Sequence, residues 1–184
     1  MDSLVNHFLI AMPGMGDPNF GETVTLICEH NEAGALGLVI NRPIGMDLGE
    51  VLAQLGLATG NARVSALPVM QGGPVQQERG FVLHPRGGQW DSTVAISDQL
   101  QITTSQDVLA ALAEDRGPER ALVALGYAGW GAGQLEQEIA ANAWLSVEAD
   151  PELVFEVPVA QRWRRAAGLL GIDLAQLSSY AGHA

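Results

Sequence analysis

Short runs of Val, Ile and Leu, each of strand length and most of them ended by Gly, Pro or Asn, recur along almost the whole chain. They predict strands at Asn6–Ala11, Thr23–Glu29, Ala35–Asn41, Val69–Gln71, Gly80–His84, Thr93–Ser97, Ala121–Tyr127, Ala143–Val147 and Leu153–Glu156. Helical spacing interrupts them at Asp47–Leu57, Ser105–Arg116, Gln134–Ala141 and Val159–Leu170, with a further turn of helix near Leu174–Leu177. Thr104 and Asp107 have the spacing of a capping box, and Gly117-Pro118 stops the helix that they open. Strands dominate and helices fall between them irregularly, unlike the steady alternation of a doubly wound sheet. The expected class is α+β with a mixed, mostly antiparallel sheet.

Composition agrees with a folded chain. Of 184 residues, 47% are hydrophobic and 16% charged, so one domain over residues 1–184 has enough apolar surface to form a core. The net charge of −12 works against binding nucleic acid or an anionic membrane, both of which need a positive surface. All nine basic residues are arginine. A single cysteine leaves no internal disulfide and suits a reducing compartment. The apolar stretch Phe8 to Met12 is too short for a membrane span and has no basic n-region before it. The expected location is the cytoplasm.

The segment ICEHNEAGALGLVINRP raises the main chemical question. Val24, Leu26 and Cys28 alternate onto one face of a strand, His30 to Gly34 makes a connection, and Ala35–Asn41 returns as its partner. On one reading Cys28 is a small buried hydrophobe near the end of this hairpin. On the other it is a thiol at the sheet rim, activated by a positive neighbour, with His30 as the candidate base. Arg42 lies at the far end of the hairpin.

Further along, Gly129, Gly131 and Gly133 precede a helix and resemble an anion-binding turn, yet Gln134 stands where the dinucleotide fingerprint needs its third glycine. With no lysine in the chain, a Walker motif is excluded. Arg79 on a loop and His84 at a strand exit are candidates for binding an anion. His7, His30, His84 and His183 lack metal-ligand spacing, and no G-x-S-x-G nucleophile elbow occurs. Arg162, Arg164 and Arg165 are expected on the solvated face of the last long helix, opposite a stripe that includes Trp163 and Leu170.

Taken together, NHFLIAMPGM, ICEHNEAGALGLVINRP, GGPV followed by RGFVLH, GYAGWGAGQLEQEIAANAWL and QRWRRAAGLLGID resemble the bacterial AlgH/YqgE family. The ending SSYAGHA is similar as well. The resemblance implies a bifurcated, mostly antiparallel sheet bent into a pseudo-barrel with flanking helices. It also implies a link to transcriptional control of alginate production, since members are labelled transcriptional regulators. It brings no established catalytic residues and no cofactor. The family pattern includes Cys28 and the Asn41-Arg42-Pro43 tripeptide, without assigned roles. Asn41, Arg42, Arg79, His84, Gly129, Gly131 and Gly133 are therefore the candidate ligand-binding residues, and Cys28 with His30 is the candidate reactive pair. With no evident helix-turn-helix and a strongly acidic chain, regulation through protein partners is expected rather than direct DNA binding.

Overall fold

The computed structural model describes residues 2–14 and 20–174. Ten strands form one sheet: β1 (His7–Ala11), β2 (Val24–Asn31), β3 (Gly34–Val39), β4 (Pro43–Asp47), β5 (Pro68–Gln71), β6 (Val75–Pro85), β7 (Thr93–Ala95), β8 (Leu100–Thr103), β9 (Leu122–Gly131) and β10 (Trp144–Glu148). Six α-helices lie among them: α1 (Leu48–Gln54), α2 (Ala62–Ser65), α3 (Asp107–Ala113), α4 (Gln134–Ala140), α5 (Pro151–Phe155) and α6 (Arg162–Gly168). A 3-10 turn, Val159–Gln161, leads into α6. None of these helices is long and apolar enough to cross a membrane.

The strand order is β10-β1-β2-β3-β9-β6-β8-β7, with β4 and β5 leaving this path beside β9. All pairings are antiparallel except β5 with β9. β9 is where the sheet divides. Its first half, Leu122 to Leu125, pairs with β5 and β6, and its second half, Ala128 to Gly131, pairs with β3. The result is the expected α+β class, an antiparallel sheet curled into a half-barrel with helices on its faces.

Both faces of the sheet are buried along β1 and most of β2, which is why those strands read as continuous apolar runs. In β1, Phe8 and Ile10 enter one core with Leu26, Phe81, Leu83, Val154 of α5 and Ala167 of α6. Leu9 and Ala11 point the other way, into a core with Ile27, Trp130, Trp144 and Leu135 of α4. A third core lies under α1 and α3, where Val51, Leu52 and Leu109 meet Val69, Val82 and Val123.

Several expectations are corrected. The expected strand Leu153–Glu156 is instead the end of helix α5, with Glu156 as its C-cap: Asp150 accepts a hydrogen bond from the Glu152 amide at 3.1 Å, and Pro151 occupies the first turn. Those capping signals outweigh the apolar run that suggested a strand. β4, β8 and α2 are additional short elements. β9 continues through Gly129 and Gly131, placing both in a ladder with β3 instead of in a turn. Gly34 makes that ladder possible, because a Cβ there would lie 2.1 Å from the Trp130 carbonyl oxygen. Its φ of +138° also disfavours any side chain.

The last long helix differs too. Arg162 is 6% exposed, not solvated. Its Nε donates to Val157 O at 2.9 Å and its Nη1 donates to Ile40 O, joining α6 to the chain just beyond β3. Desolvation pulls its pKa down to about 10, so the guanidinium remains charged at neutral pH. Leu170 is exposed because α6 ends at Gly168. The turn near Leu174–Leu177 extends outside the described residues.

Candidate functional site

The β2–β3 hairpin forms as the sequence predicts, with a tighter end: Asn31 pairs with Gly34 across a two-residue turn. One register break sits at Cys28, between the pairs Ile27–Gly37 and Glu29–Leu36. This bulge decides the chemistry of the segment. In a regular strand, residues 28 and 30 would share a face. Here Cys28 continues the core face of Val24 and Leu26, whereas His30 turns to α4.

Cys28 is 5% exposed, and its sulfur donates to Leu26 O at 3.6 Å. Burial, with the neighbouring Glu29 carboxylate adding to it, pushes the thiol far above its ordinary range. That environment favours the thiol over the thiolate. His30 is engaged elsewhere. Its Nδ1 accepts the Leu4 amide at 2.9 Å, which assigns the proton to Nε2, and Nε2 donates to Glu136 Oε1 at 2.6 Å. The cysteine and histidine are therefore separate structural groups, and the structure does not bring them together as nucleophile and base.

Asn41 and Arg42 fasten the segment before β2. Asn41 Oδ1 accepts the Val24 amide at 2.9 Å and its Nδ2 donates to Glu22 O at 3.0 Å. Arg42 donates to Gly21 O at 2.9 Å, and its own carbonyl accepts the Gln71 amide at 2.7 Å. His84 is fully buried. Its Nδ1 donates to Pro85 O at 3.0 Å, its Nε2 bonds Thr103 Oγ1 at 2.7 Å, and its ring meets Trp90 edge-on at 5.1 Å. Desolvation lowers its pKa and keeps the imidazole neutral. Arg79 is exposed, with its guanidinium 5.1 Å from the centre of the Phe81 ring. Arg79 lies in the irregular stretch of β6 between Val75 and Gly80, whereas His84 is buried with both ring nitrogens already bonded. They form no joint anion site.

Of the three glycines, Gly133 alone lies at the start of α4, with φ +73°. The Gly131 amide is already taken by Gln134 Oε1 at 2.9 Å. The segment is a strand end and a tight turn, not a phosphate loop. Among the described residues, no group of three or more His, Cys, Asp or Glu side chains is placed to hold a metal ion.

What the hairpin and β9 do build is a groove. Leu36, Val75, Tyr127 and Trp130 line an open cleft of about 500 Å³, with Glu29 and Asn31 on its edge. Trp130 is fixed from behind: its indole and that of Trp144 both donate to Glu138 Oε1, at 3.1 and 2.9 Å. Tyr127 meets Phe81 edge-on at 5.9 Å. The apolar wall is thus held rigidly by side chains whose partnerships cross from α4 and β6. Neither Glu136 nor Glu138 carries a motif in the sequence. Only their return to the sheet through α4 reveals what they bind.

Comparison with known proteins places this architecture. The AlgH-like family profile matches residues 8–175. A UPF0301 protein of Thioalkalivibrio sulfidiphilus is 54% identical over 182 residues, covering 99% of this chain and 97% of its own. A UPF0301 protein of Cupriavidus metallidurans is 55% identical over 182 residues, covering 99% and 96%. The solution structure of the Pseudomonas aeruginosa AlgH protein superposes with a TM-score of 0.80 at 53% identity, covering 100% of this chain and 99% of that one. A Corynebacterium diphtheriae crystal structure shares the fold, with a TM-score of 0.76 at 22% identity over 97% of this chain and 93% of its own. The chain belongs to the AlgH-like family.

Proposed function

We propose that this AlgH-like protein is a cytosolic regulatory protein that acts by binding another protein at the groove between the β2–β3 hairpin and β9. The observation that carries the reading is the groove itself, a preformed apolar wall of Leu36, Val75 and Tyr127 beside the Glu29 carboxylate. Such a surface suits a partner segment with one apolar anchor and a nearby basic residue. The acidity of the chain supports a protein ligand over nucleic acid, since a net charge of −12 repels phosphate. A transcriptional role would then operate through the partner. The thiol alternative has little support from the burial of Cys28.

A photo-crosslinking residue in place of Val75, with one in place of Val94 as a remote exposed control, tests the reading in cells. Discrete protein adducts are expected from position 75 and not from 94, and Tyr127→Ala should weaken them. Indistinguishable adduct patterns at the two positions would sink it, as would full complementation of a deletion strain by Leu36→Asp.

A further inference from the structure

A second concavity lies on a different face, between α1, α3 and the sheet. It encloses about 450 Å³, within the range of small-molecule sites. Val51 of α1, Leu109 of α3, and Val82, Val123 and Leu125 of the sheet form an apolar floor. Leu55, 41% exposed, stands at the mouth.

Two features distinguish this chamber from an ordinary packing defect. Gly80 faces it from within β6, on the same side as Val82, and a Cβ at this position would find its nearest neighbour, Leu125 Cδ2, at 3.9 Å. Glycine is costly inside a strand and carries no positive φ here, so the backbone does not require it. Its absent side chain leaves the space open. Arg79, one residue away, lies at the rim, held over Phe81. Among the described residues it makes no hydrogen bond or ion pair. Gln54 of α1 and Gln106, just before α3, are exposed at the same rim with amide groups available to a ligand. Glu78 is the opposing charge there.

We propose that this chamber is a binding site for a small amphipathic carboxylate, with its apolar body over Val51, Val82 and Leu109 and its carboxylate at Arg79. The cation selects the headgroup and the apolar floor selects the tail. The gap at Gly80 gives the tail its depth. The site is independent of the protein-binding groove and stands or falls without it.

Octanoate titrated below its micellar range, followed by calorimetry and by amide chemical shifts, tests the assignment, with 1-octanol as the neutral counterpart. Octanoate should bind saturably, with shifts centred on α1, α3 and Gly80. Gly80→Leu should fill the chamber, keep the melting temperature at or above that of the wild type, and weaken octanoate more than about tenfold. Arg79→Gln should weaken octanoate roughly three- to fivefold, the scale of one exposed charge pair, and leave octanol unchanged. Glu78→Gln should tighten octanoate. The proposal is overturned by non-saturable binding, by shifts centred elsewhere, or by equal losses of octanoate and octanol in Arg79→Gln. If Gly80→Leu does not fold, the opposite signs required of the Arg79 and Glu78 variants still decide it.

Discussion

Cys28 and His84 show how far a side chain's environment departs from its sequence neighbourhood. At 5% exposure, with desolvation holding the thiol protonated, Cys28 should resist iodoacetamide at pH 8 over hours and label within minutes once denaturant opens the core. Rapid labelling of the native protein would contradict this burial. The hairpin was legible in the alternation of Val24, Leu26 and Cys28. The bulge at Cys28, which separates His30 from it, was not, because a bulge adds a residue without any compositional mark. His84 carries a pH prediction. Its folded pKa lies below the ordinary 6.5, so the unfolded state binds the proton first as pH falls. Stability from this group is complete above about pH 6.5 and is lost on acidification, at no more than about 1.4 kcal/mol per pH unit. Between pH 7.5 and 5.5, His84→Gln should therefore lose less stability than the wild type in parallel urea titrations. Equal losses would remove His84 as a source of the slope.

The elements were read with uneven success for reasons of hydrogen bonding and capping. Strands buried on both faces, such as β1 and β3, announce themselves by apolar content alone. β4 does not, since its residues alternate between exposed and partly buried and it opens with Pro43. The Asp150-Pro151 start of α5 was available as a capping signal but competed with the apolar run after it. β9 ran past its expected end because its glycines permit close pairing with β3. Gly34→Ala tests that pairing directly. A methyl group there would overlap the Trp130 carbonyl oxygen, and the φ of +138° is unsuited to alanine. The expected cost is about 2–4 kcal/mol in chemical denaturation, in the upper part of single-substitution effects. A loss below about 1 kcal/mol would mean that β3 and β9 can move apart freely.

Across the whole molecule, the expectations come from different properties: the fold class from periodicity, the protein partner largely from charge, and the cytoplasmic location from the single cysteine and the short apolar start. The groove and the α1–α3 chamber were not legible because each gathers residues from distant segments, such as Leu36 with Val75 and Val51 with Gly80. Charge makes one further global prediction. Among the described residues, the ion pairs Arg116–Glu114 and Arg120–Glu156 are exposed. Exposed pairs contribute about 0.2–1 kcal/mol each, so salt can remove little by screening them. The net charge of −12 acts the other way, because folding gathers carboxylates that the unfolded chain holds apart. Repulsion should therefore outweigh attraction, and stability should rise with sodium chloride. Most of the gain should come between about 0.01 and 0.1 M, where the screening length falls from roughly 30 to 10 Å. A melting temperature that climbs by a few degrees and then levels near 0.3 M is the expected outcome. A decline over the same range would mean that favourable pairings, not net repulsion, dominate the electrostatics of the folded chain.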